Sequence, residues 1–370
     1  MIQVKRVLFI LHLPPPVHGS SMVGKYIKDS KLINQVVETN YINLGTSKTI
    51  DEIGKNPLGK IRAYVHIVFK TLKSLLFFKP DIVYLAITAK GIGFYKDSLI
   101  ALLVKLFGVK LVLHFHNKGV VVAQDKFVDN LLYKRVFKNT KVILLSKYLY
   151  YDVQKYVSEQ NVYFCANGIP LICNESSFKD TKNEIPSLLF LSNLIESKGV
   201  FILLDALKIL QEKGILFTCN FVGGEGDVSS LDFNTKVSEL KLEKKVFYLG
   251  KKYNQEKVTI FKESDIFVHP TFSDCFPLVL LEASQFGLPM VAAIEGAIPE
   301  IVENGKNGFL VKRQDVVGLA AKLEQLILNP ALRIKMGQAA KEKYNREYTL
   351  EFFERKMLDI LTLIQKSNNK

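Results

Sequence analysis

The chain has no tryptophan, only four cysteines and five methionines among 370 residues, and no apolar run near the roughly 20 residues that span a bilayer. Cys165, Cys173, Cys219 and Cys275 form no C-x-x-C pair and no metal-ligand spacing, which argues against a disulfide scaffold and a structural zinc site. They read as scattered core thiols of a reducing compartment. The opening MIQVKRVLFILHLPPP carries a short apolar run that ends in prolines without a small-residue cleavage site, so it reads as a first buried strand rather than a signal peptide. Low-complexity tracts are absent too, and 48% hydrophobic against 23% charged residues is the balance of a folded chain. The reading is a cytoplasmic protein of more than one domain.

Acidic residues are scarce in the first half. Residues 1–170 hold 24 Lys+Arg against 10 Asp+Glu, while residues 171–370 hold 26 of each, so the whole net charge of +14 sits in the first half.

Short apolar runs alternate with longer amphipathic segments, the pattern of βα units feeding a parallel sheet. Strands are expected near residues 4–11, 41–44, 81–87, 110–115, 141–145 and 161–164, and again near 188–192, 217–222, 246–249, 266–269, 289–293 and 308–311. Six strands in each half predict two doubly wound α/β domains. The turn Asn167-Gly168-Ile169-Pro170 and the polar stretch 174–186 set the boundary, giving residues 1–170 and 171–344. Apolar residues near helical spacing, from Tyr344 through Leu350, Phe353, Met357, Ile360, Leu361 and Ile364, predict a closing amphipathic helix over about 345–366 that packs back on the first domain. The last polar residues are expected to fray. Ligands of open parallel sheets bind beyond the carboxyl ends of the strands, so a cleft between two facing domains is the expected site.

The segment SDIFVHPTFSDCFPLVLLEASQFGLPMVAA (264–293) reads as strand, loop, helix, strand. Asp274 or Ser273 can cap the helix, Pro277 suits its first turn, and Gly287 before Pro289 ends it. The helix is apolar nearly all round, so Glu282 within it needs a partner or a ligand. Asp274 lies at the helix mouth, where free backbone N–H groups and the positive dipole end also point. That convergence suits a polyhydroxylated, anionic ligand. The plainer alternative is that Asp274 only caps and Glu282 pairs with a structural lysine.

Asp274-x7-Glu282, with Cys275-Phe276-Pro277-Leu278 at the helix start and Ala283, Gly287 and Pro289 after it, resembles the E-x7-E region of the retaining, nucleotide-sugar-dependent glycosyltransferases of family four, which have the GT-B fold. FLSNLIESKGVFILLDAL (190–207), GAIPEIVENGKNGFLV (296–311), Asn167-Gly168-Ile169, PPPVHGSS (14–21) and HFHNKG (114–119) are similar to further segments of that family. The resemblance implies a GT-B fold of two Rossmann-like domains, acceptor-binding first and donor-binding second. It further implies that Glu282 holds the donor ribose hydroxyls, while Asp274 and the amides of Phe276 and Leu278 hold the transferred sugar. Lys198 would neutralise the diphosphate leaving group, helped by backbone N–H groups around Gly19 and Ser20, and His116 would lie near the sugar on the acceptor side.

Three positions depart from the family pattern. Asp274 replaces the more usual glutamate, Pro277 replaces a common glycine and removes one N–H donor, and Asn193 stands where many members carry arginine. Lys198 is then the clearer cation for the diphosphate, a point charge rather than a bidentate fork.

Other glycine signals are weaker. Gly19–Tyr26 matches GxxxxGK after a strand, but Tyr26 stands where a P-loop needs Ser or Thr for magnesium. Gly223-Gly224-Glu225-Gly226 follows a strand and could approach phosphate or base, or form a plain tight turn. His114 and His116 alternate on an apolar run; His116 is expected to face the mouth and His114 not. His269 reads as structural. No metal cluster and no serine or cysteine triad is visible.

In the basic half, Ile61, Tyr64, Val65, Val68, Leu72, Leu75 and Leu76 fall on one helical stripe, expected to pack a crossover helix on the sheet. Phe77-Phe78 and the cationic run from Lys126 to Lys147 concentrate charge and aromatic groups, and anionic lipid attracts such faces by about 1 kcal/mol per basic residue. The combined expectation is a retaining glycosyltransferase that needs no obligatory metal and no cofactor beyond a nucleoside-diphosphate sugar. Its acceptor would be a lipid-linked or other glycan intermediate of polysaccharide biosynthesis, its location the cytoplasm or, peripherally, an anionic inner membrane face, and nucleic acid is not expected as a partner. A GT-B nucleotide-sugar epimerase or hydrolase, and a non-catalytic nucleotide-binding regulator, are the alternatives.

Overall fold

A computed structural model of the chain describes residues 6–45, 57–172 and 184–366. The chain divides into two compact units: Met1–Ile169 with Leu350–Lys370, and Pro170–Thr349.

Unit 1 runs β1 (Arg6–Leu11), α1 (Gly19–Asp29), α2 (Lys31–Val36), β2 (Glu38–Asn43), α3 (Pro57–Lys73), β3 (Ile82–Ile87), α4 (Gly91–Leu106), β4 (Lys110–Phe115), α5 (Val120–Ala123), α6 (Phe127–Phe137), β5 (Lys141–Leu144) and β6 (Val162–Phe164). Its sheet has the order β2-β1-β3-β4-β5-β6, with every pair parallel. Central strands such as β1 and β3 are unbroken apolar runs because helices cover both faces of a parallel sheet.

Unit 2 repeats the plan with β7 (Ser187–Leu191), α7 (Val200–Glu212), β8 (Thr218–Val222), α8 (Ser230–Glu239), β9 (Val246–Tyr248), α9 (Asn254–Glu263), β10 (Ile266–His269), α10 (Leu278–Gln285), β11 (Met290–Ala293), α11 (Ile298–Ile301), β12 (Gly308–Val311), α12 (Val316–Leu328) and α13 (Pro330–Glu347). The sheet order is β12-β11-β10-β7-β8-β9, again all parallel. The chain then returns to unit 1 as α14 (Leu350–Lys366). Two parallel six-stranded sheets with helices are the two doubly wound α/β units that the repeated βα rhythm predicts, and they agree with the GT-B fold that the resemblance implies.

Three local expectations are corrected. The closing helix is two helices: Tyr344 lies in α13, and a break at Tyr348 and Thr349 precedes α14. That break lets the Leu350 amide donate to Ile169 O at 3.0 Å. Along α3 and the π-helical turn Ser74–Phe78 that follows it, the buried side is Ile67, Thr71 and Leu75, whereas Ile61, Val65 and Leu76 are exposed. Thr71 tolerates burial because its hydroxyl donates to Ile67 O, 2.9 Å away. Finally, α10 is not apolar all round in its surroundings, since Leu278, Val279 and Glu282 are only half-buried. Cys173, Val4, most of the 174–186 stretch and the last four residues lie outside the described residues.

Candidate functional site

The site in unit 2 is built on the loops after β7, β10 and β11. After β7 a short 3₁₀ turn, Glu196–Lys198, ends at Gly199, whose φ of +85° is the left-handed region that favours glycine. A Cβ there would sit 2.3 Å from Pro270 O, so only glycine lets this turn close on the loop after β10. The closure is completed by Phe272 N and Thr271 Oγ1, which donate to Ser197 O at 2.9 and 3.0 Å.

That docking delivers Lys198 to Asp274. Lys198 Nζ lies 2.6 Å from Asp274 Oδ2 and also donates to Ser273 O at 3.2 Å. His269, at the end of β10, brings Nε2 to 3.3 Å from the same Oδ2. The Cys275 amide donates to Oδ1 at 2.9 Å, and the Asp274 amide donates to Glu295 Oε1 at 3.3 Å. Burial by itself would raise the Asp274 pKa, but the His269 hydrogen bond and the Lys198 ammonium outweigh it and hold the carboxyl well below the usual range. With side-chain exposures of 23% and 17%, Lys198 and Asp274 remain reachable by a ligand.

Neither Asp274 nor Ser273 caps α10, contrary to expectation. The carboxylate of Asp274 is taken by Lys198, His269 and Cys275, and the N-cap is Pro277, in extended conformation and without a side-chain cap. The amides of Phe276 and Leu278 therefore find no acceptor among the described residues.

Glu282, in the second turn of α10, pairs with Lys257 of α9, whose Nζ is 2.6 Å from Oε2. The plainer sequence alternative, a lysine partner, is thus realised. Asp274 pairs with Lys198 and His269, and Glu282 with Lys257, so the two carboxylates are held by different side chains.

The glycine cluster after β8 is a packing feature. A Cβ on Gly223, at φ +154°, would lie 2.0 Å from Ser192 O, and one on Gly226 would lie 2.6 Å from Leu194 O. Asn193 fastens this contact, because its Oδ1 accepts the Gly224 amide at 2.9 Å. The Asn193 side chain keeps its amide N–H groups and is exposed.

In unit 1, Gly19 and Ser20 open α1, with His18 as N-cap. His18 and Ser21 form a reciprocal capping pair, His18 Nδ1 accepting from Ser21 N at 3.3 Å and Ser21 Oγ from His18 N at 2.9 Å. The amides of Gly19 and Ser20 have no acceptor among the described residues. The P-loop alternative fails here, because Gly19–Lys25 is helix rather than a phosphate-cradling loop. Gly24 serves packing, since a Cβ on it would meet His12 O at 2.0 Å.

His114 and His116 share one face, as residues two apart on a strand must, which corrects the expectation that only His116 would turn to the mouth. Their ring centroids are 4.2 Å apart. Tyr84 Oη is 2.6 Å from His114 Nδ1 and 3.5 Å from His116 Nε2. His114 is fully buried and His116 half-buried. Burial, aided by His12 and His18, lowers the His116 pKa to about 3, and burial with His18 and Lys96 lowers that of His12 to about 4. Both are neutral at physiological pH. Asp152 secures the following loop by accepting the amides of Gly119, Val120 and Val121 at 2.9, 3.2 and 3.0 Å.

Sequence reasoning did not single out Glu295, Lys257, Arg313 or Tyr84. Glu295 is buried, and its Oε2 lies 3.2 Å from Arg313 Nη1. An acidic residue two positions after β11 and just before Gly296, at φ +52°, is the signal that marks it. Among the described residues no group of three or more His, Cys, Asp or Glu could hold a metal ion.

Two parallel six-stranded sheets with helices make up the GT-B fold. Residues 174–343 match the family described as Glycosyl transferases group 1. The chain is 29% identical over 189 residues to the amylovoran biosynthesis glycosyltransferase AmsK of Erwinia amylovora, covering 50% of this chain and 46% of AmsK. It thus spans less than half of that relative's length. Among solved structures, sucrose-phosphate synthase of Thermosynechococcus elongatus superposes with a TM-score of 0.74 at 15% identity, covering 97% of this chain and 99% of that one. Anabaena HepE in complex with UDP superposes at 0.75 and 18% identity, covering 97% and 100%.

Proposed function

We propose that the protein transfers a sugar from a nucleoside diphosphate donor to an acceptor hydroxyl. The observation that carries this reading is the Lys198–Asp274 pair standing beside the unpartnered amides of Phe276 and Leu278. A sugar-diphosphate offers what these groups lack: hydroxyls for the carboxylate and amides, and a dianion for the lysine. Lys198 would exchange Asp274 for the diphosphate as charge develops on the leaving oxygen, which is electrostatic stabilisation of the leaving group. Glu282, held by Lys257 through Oε2, would take the ribose hydroxyls, and Asn193 would add a neutral donor. Gly223 supports the phosphate side by letting the loop after β8 lie against Ser192. The free amides of Gly19 and Ser20 would add donors for the diphosphate, and neutral His116 would hydrogen-bond the transferred sugar.

UDP is the first nucleotide to try, because the HepE structure was obtained with UDP. Transfer with retention at the anomeric carbon, no obligatory metal, and a lipid-linked or cell-surface glycan acceptor complete the reading; the AmsK relative is named for polysaccharide biosynthesis. Thermal shift with UDP, GDP and ADP and their sugar conjugates, with and without chelator, tests it. A selective, chelator-insensitive stabilisation is expected, since a ligand that binds only the folded state raises its apparent stability. Anomer-resolved product analysis then decides retention. Stabilisation by none of the six ligands overturns the reading, and donor loss without acceptor replaces it with a hydrolase.

A further inference from the structure

The outer helix layer of unit 1 carries apolar side chains where a solvated layer carries polar ones. On α3, Ile61, Val65 and Phe69 follow one another at four-residue spacing, opposite the buried side, and each is 60% exposed. Phe77, 76% exposed, lies just beyond its end. α4 presents Ile92, Leu99 and Leu106 at 77%, 53% and 83%, and α6 begins with Phe127 at 82%. The three helices lie side by side: Tyr64 of α3 donates to Lys96 O of α4, and Tyr95 of α4 donates to Asp129 Oδ2 of α6. Isolated exposed apolar residues are ordinary, but rows of them on adjoining helices mark an interaction surface.

Charge identifies the occupant. Arg62, Lys70 and Lys73 stand exposed beside the apolar row of α3, without a carboxylate partner among the described residues. The sole acidic residue on α3 and α4 is Asp97, which is buried and accepts the Thr88 amide at 2.8 Å. An apolar row flanked by cations with no exposed carboxylate is the composition of a helix lying in a lipid interface. A second copy of the chain meeting this face would set these cations against their own kind. We propose that the α3–α4–α6 face docks on an anionic lipid surface, with Ile61, Val65, Phe69 and Phe77 entering the headgroup layer and Arg62, Lys70 and Lys73 binding lipid phosphates. This docking is independent of the sugar-transfer reading.

Flotation of the full chain with phosphatidylcholine vesicles, with and without phosphatidylglycerol, tests the proposal. The protein is expected to float with the anionic vesicles and not with the neutral ones. Raised salt, and separately the variant Arg62→Ser/Lys70→Ser/Lys73→Ser, should weaken partitioning about tenfold or more, since each cation near the surface contributes on the order of 1 kcal/mol. Ile61→Glu/Val65→Glu/Phe69→Glu should weaken it comparably while leaving the thermal melting of the protein unchanged, because all three side chains are exposed. No flotation with anionic vesicles, or equal flotation of both variants and wild type, overturns it. A concentration-dependent dimer that the glutamate variant turns into a monomer without vesicles would instead assign the face to a contact between copies, and also overturns it.

Discussion

Lys198 and Asp274, 76 residues apart in the chain, hold each other at 2.6 Å, each occupying the group the other would offer a ligand. The pair is a self-satisfied arrangement that, in the function proposed above, a sugar-diphosphate would have to open. It also explains why the carboxyl stays ionised despite burial, so that it is an acceptor at any physiological pH.

The first prediction follows from that competition. Lys198→Ala should lower kcat about a hundredfold, as expected for loss of charge stabilisation on the leaving group. Asp274→Asn should lower kcat too, yet tighten binding of UDP alone several-fold, because Lys198 no longer has a carboxylate to leave. Steady-state kinetics and calorimetry with UDP check both; looser UDP binding in Asp274→Asn would show that the pair does not compete with the diphosphate.

Glu282→Ala should raise the Kd for the nucleotide about tenfold, the scale of a lost charge-assisted hydrogen bond. Lys257→Ala is the control: Lys257 serves Glu282 rather than the ligand, so its loss should leave nucleotide affinity within about twofold. Equal losses in the two variants would mean that the Glu282–Lys257 ion pair, and not a ribose contact, is what matters.

Acid should weaken unit 1. His12 and His116 have folded pKa values lowered to about 4 and about 3, and His114 lies well below its usual value as well, mainly through burial. Below about pH 6.5 the unfolded chain takes up protons that these rings refuse, so stability falls as pH drops toward those folded values, with a slope approaching about 1.4 kcal/mol per pH unit for each ring. Asp97 opposes this: burial raises its pKa to about 6, so it gains stability as pH falls below that value. Three histidines outweigh one carboxyl. Denaturant midpoints measured from pH 7 to 4 should therefore decline, and His12→Gln/His116→Gln should flatten the decline; an unaltered slope in that variant would remove these rings as the cause.

Gly223→Ala should destabilise unit 2 by about 2–3 kcal/mol, since the added methyl would lie 2.0 Å from Ser192 O in a backbone conformation that favours glycine. Gly214→Ala, also at positive φ but with open space around it, should cost only the conformational penalty, about 1 kcal/mol. Chemical denaturation of the two variants separates crowding from backbone preference.

The strands were the most readable part of the sequence. β4, β10 and β12 begin and end where the apolar runs do, because a buried parallel strand needs no polar alternation. The polar edge strand β2 is less so: its first residues, Glu38 and Thr39, carry no apolar signal. The α3 face was misjudged because both sides of that helix are apolar, and only the burial of Thr71 and Ser74 reveals which one meets the sheet. Asp274 and Glu282 stood out from the helix pattern and Lys198 from the family resemblance, but their partners arise from loops that meet only in the fold. His269 is five residues from Asp274 and was still read as structural, because sequence does not show a ring turning back along its own loop.

The hydrogen bond from Leu350 to Ile169 ties together the two points at which the chain leaves unit 1 and comes back to it. In terms of chain topology, all of unit 2 is an insertion into unit 1 whose two junctions are hydrogen-bonded to each other. The entropy of closing unit 1 is therefore met inside unit 1, and a short bridge from Ile169 to Leu350 can replace everything between them. By the same logic Pro170–Thr349 can be cut out or exchanged as a block, so the two units can diverge or be recombined.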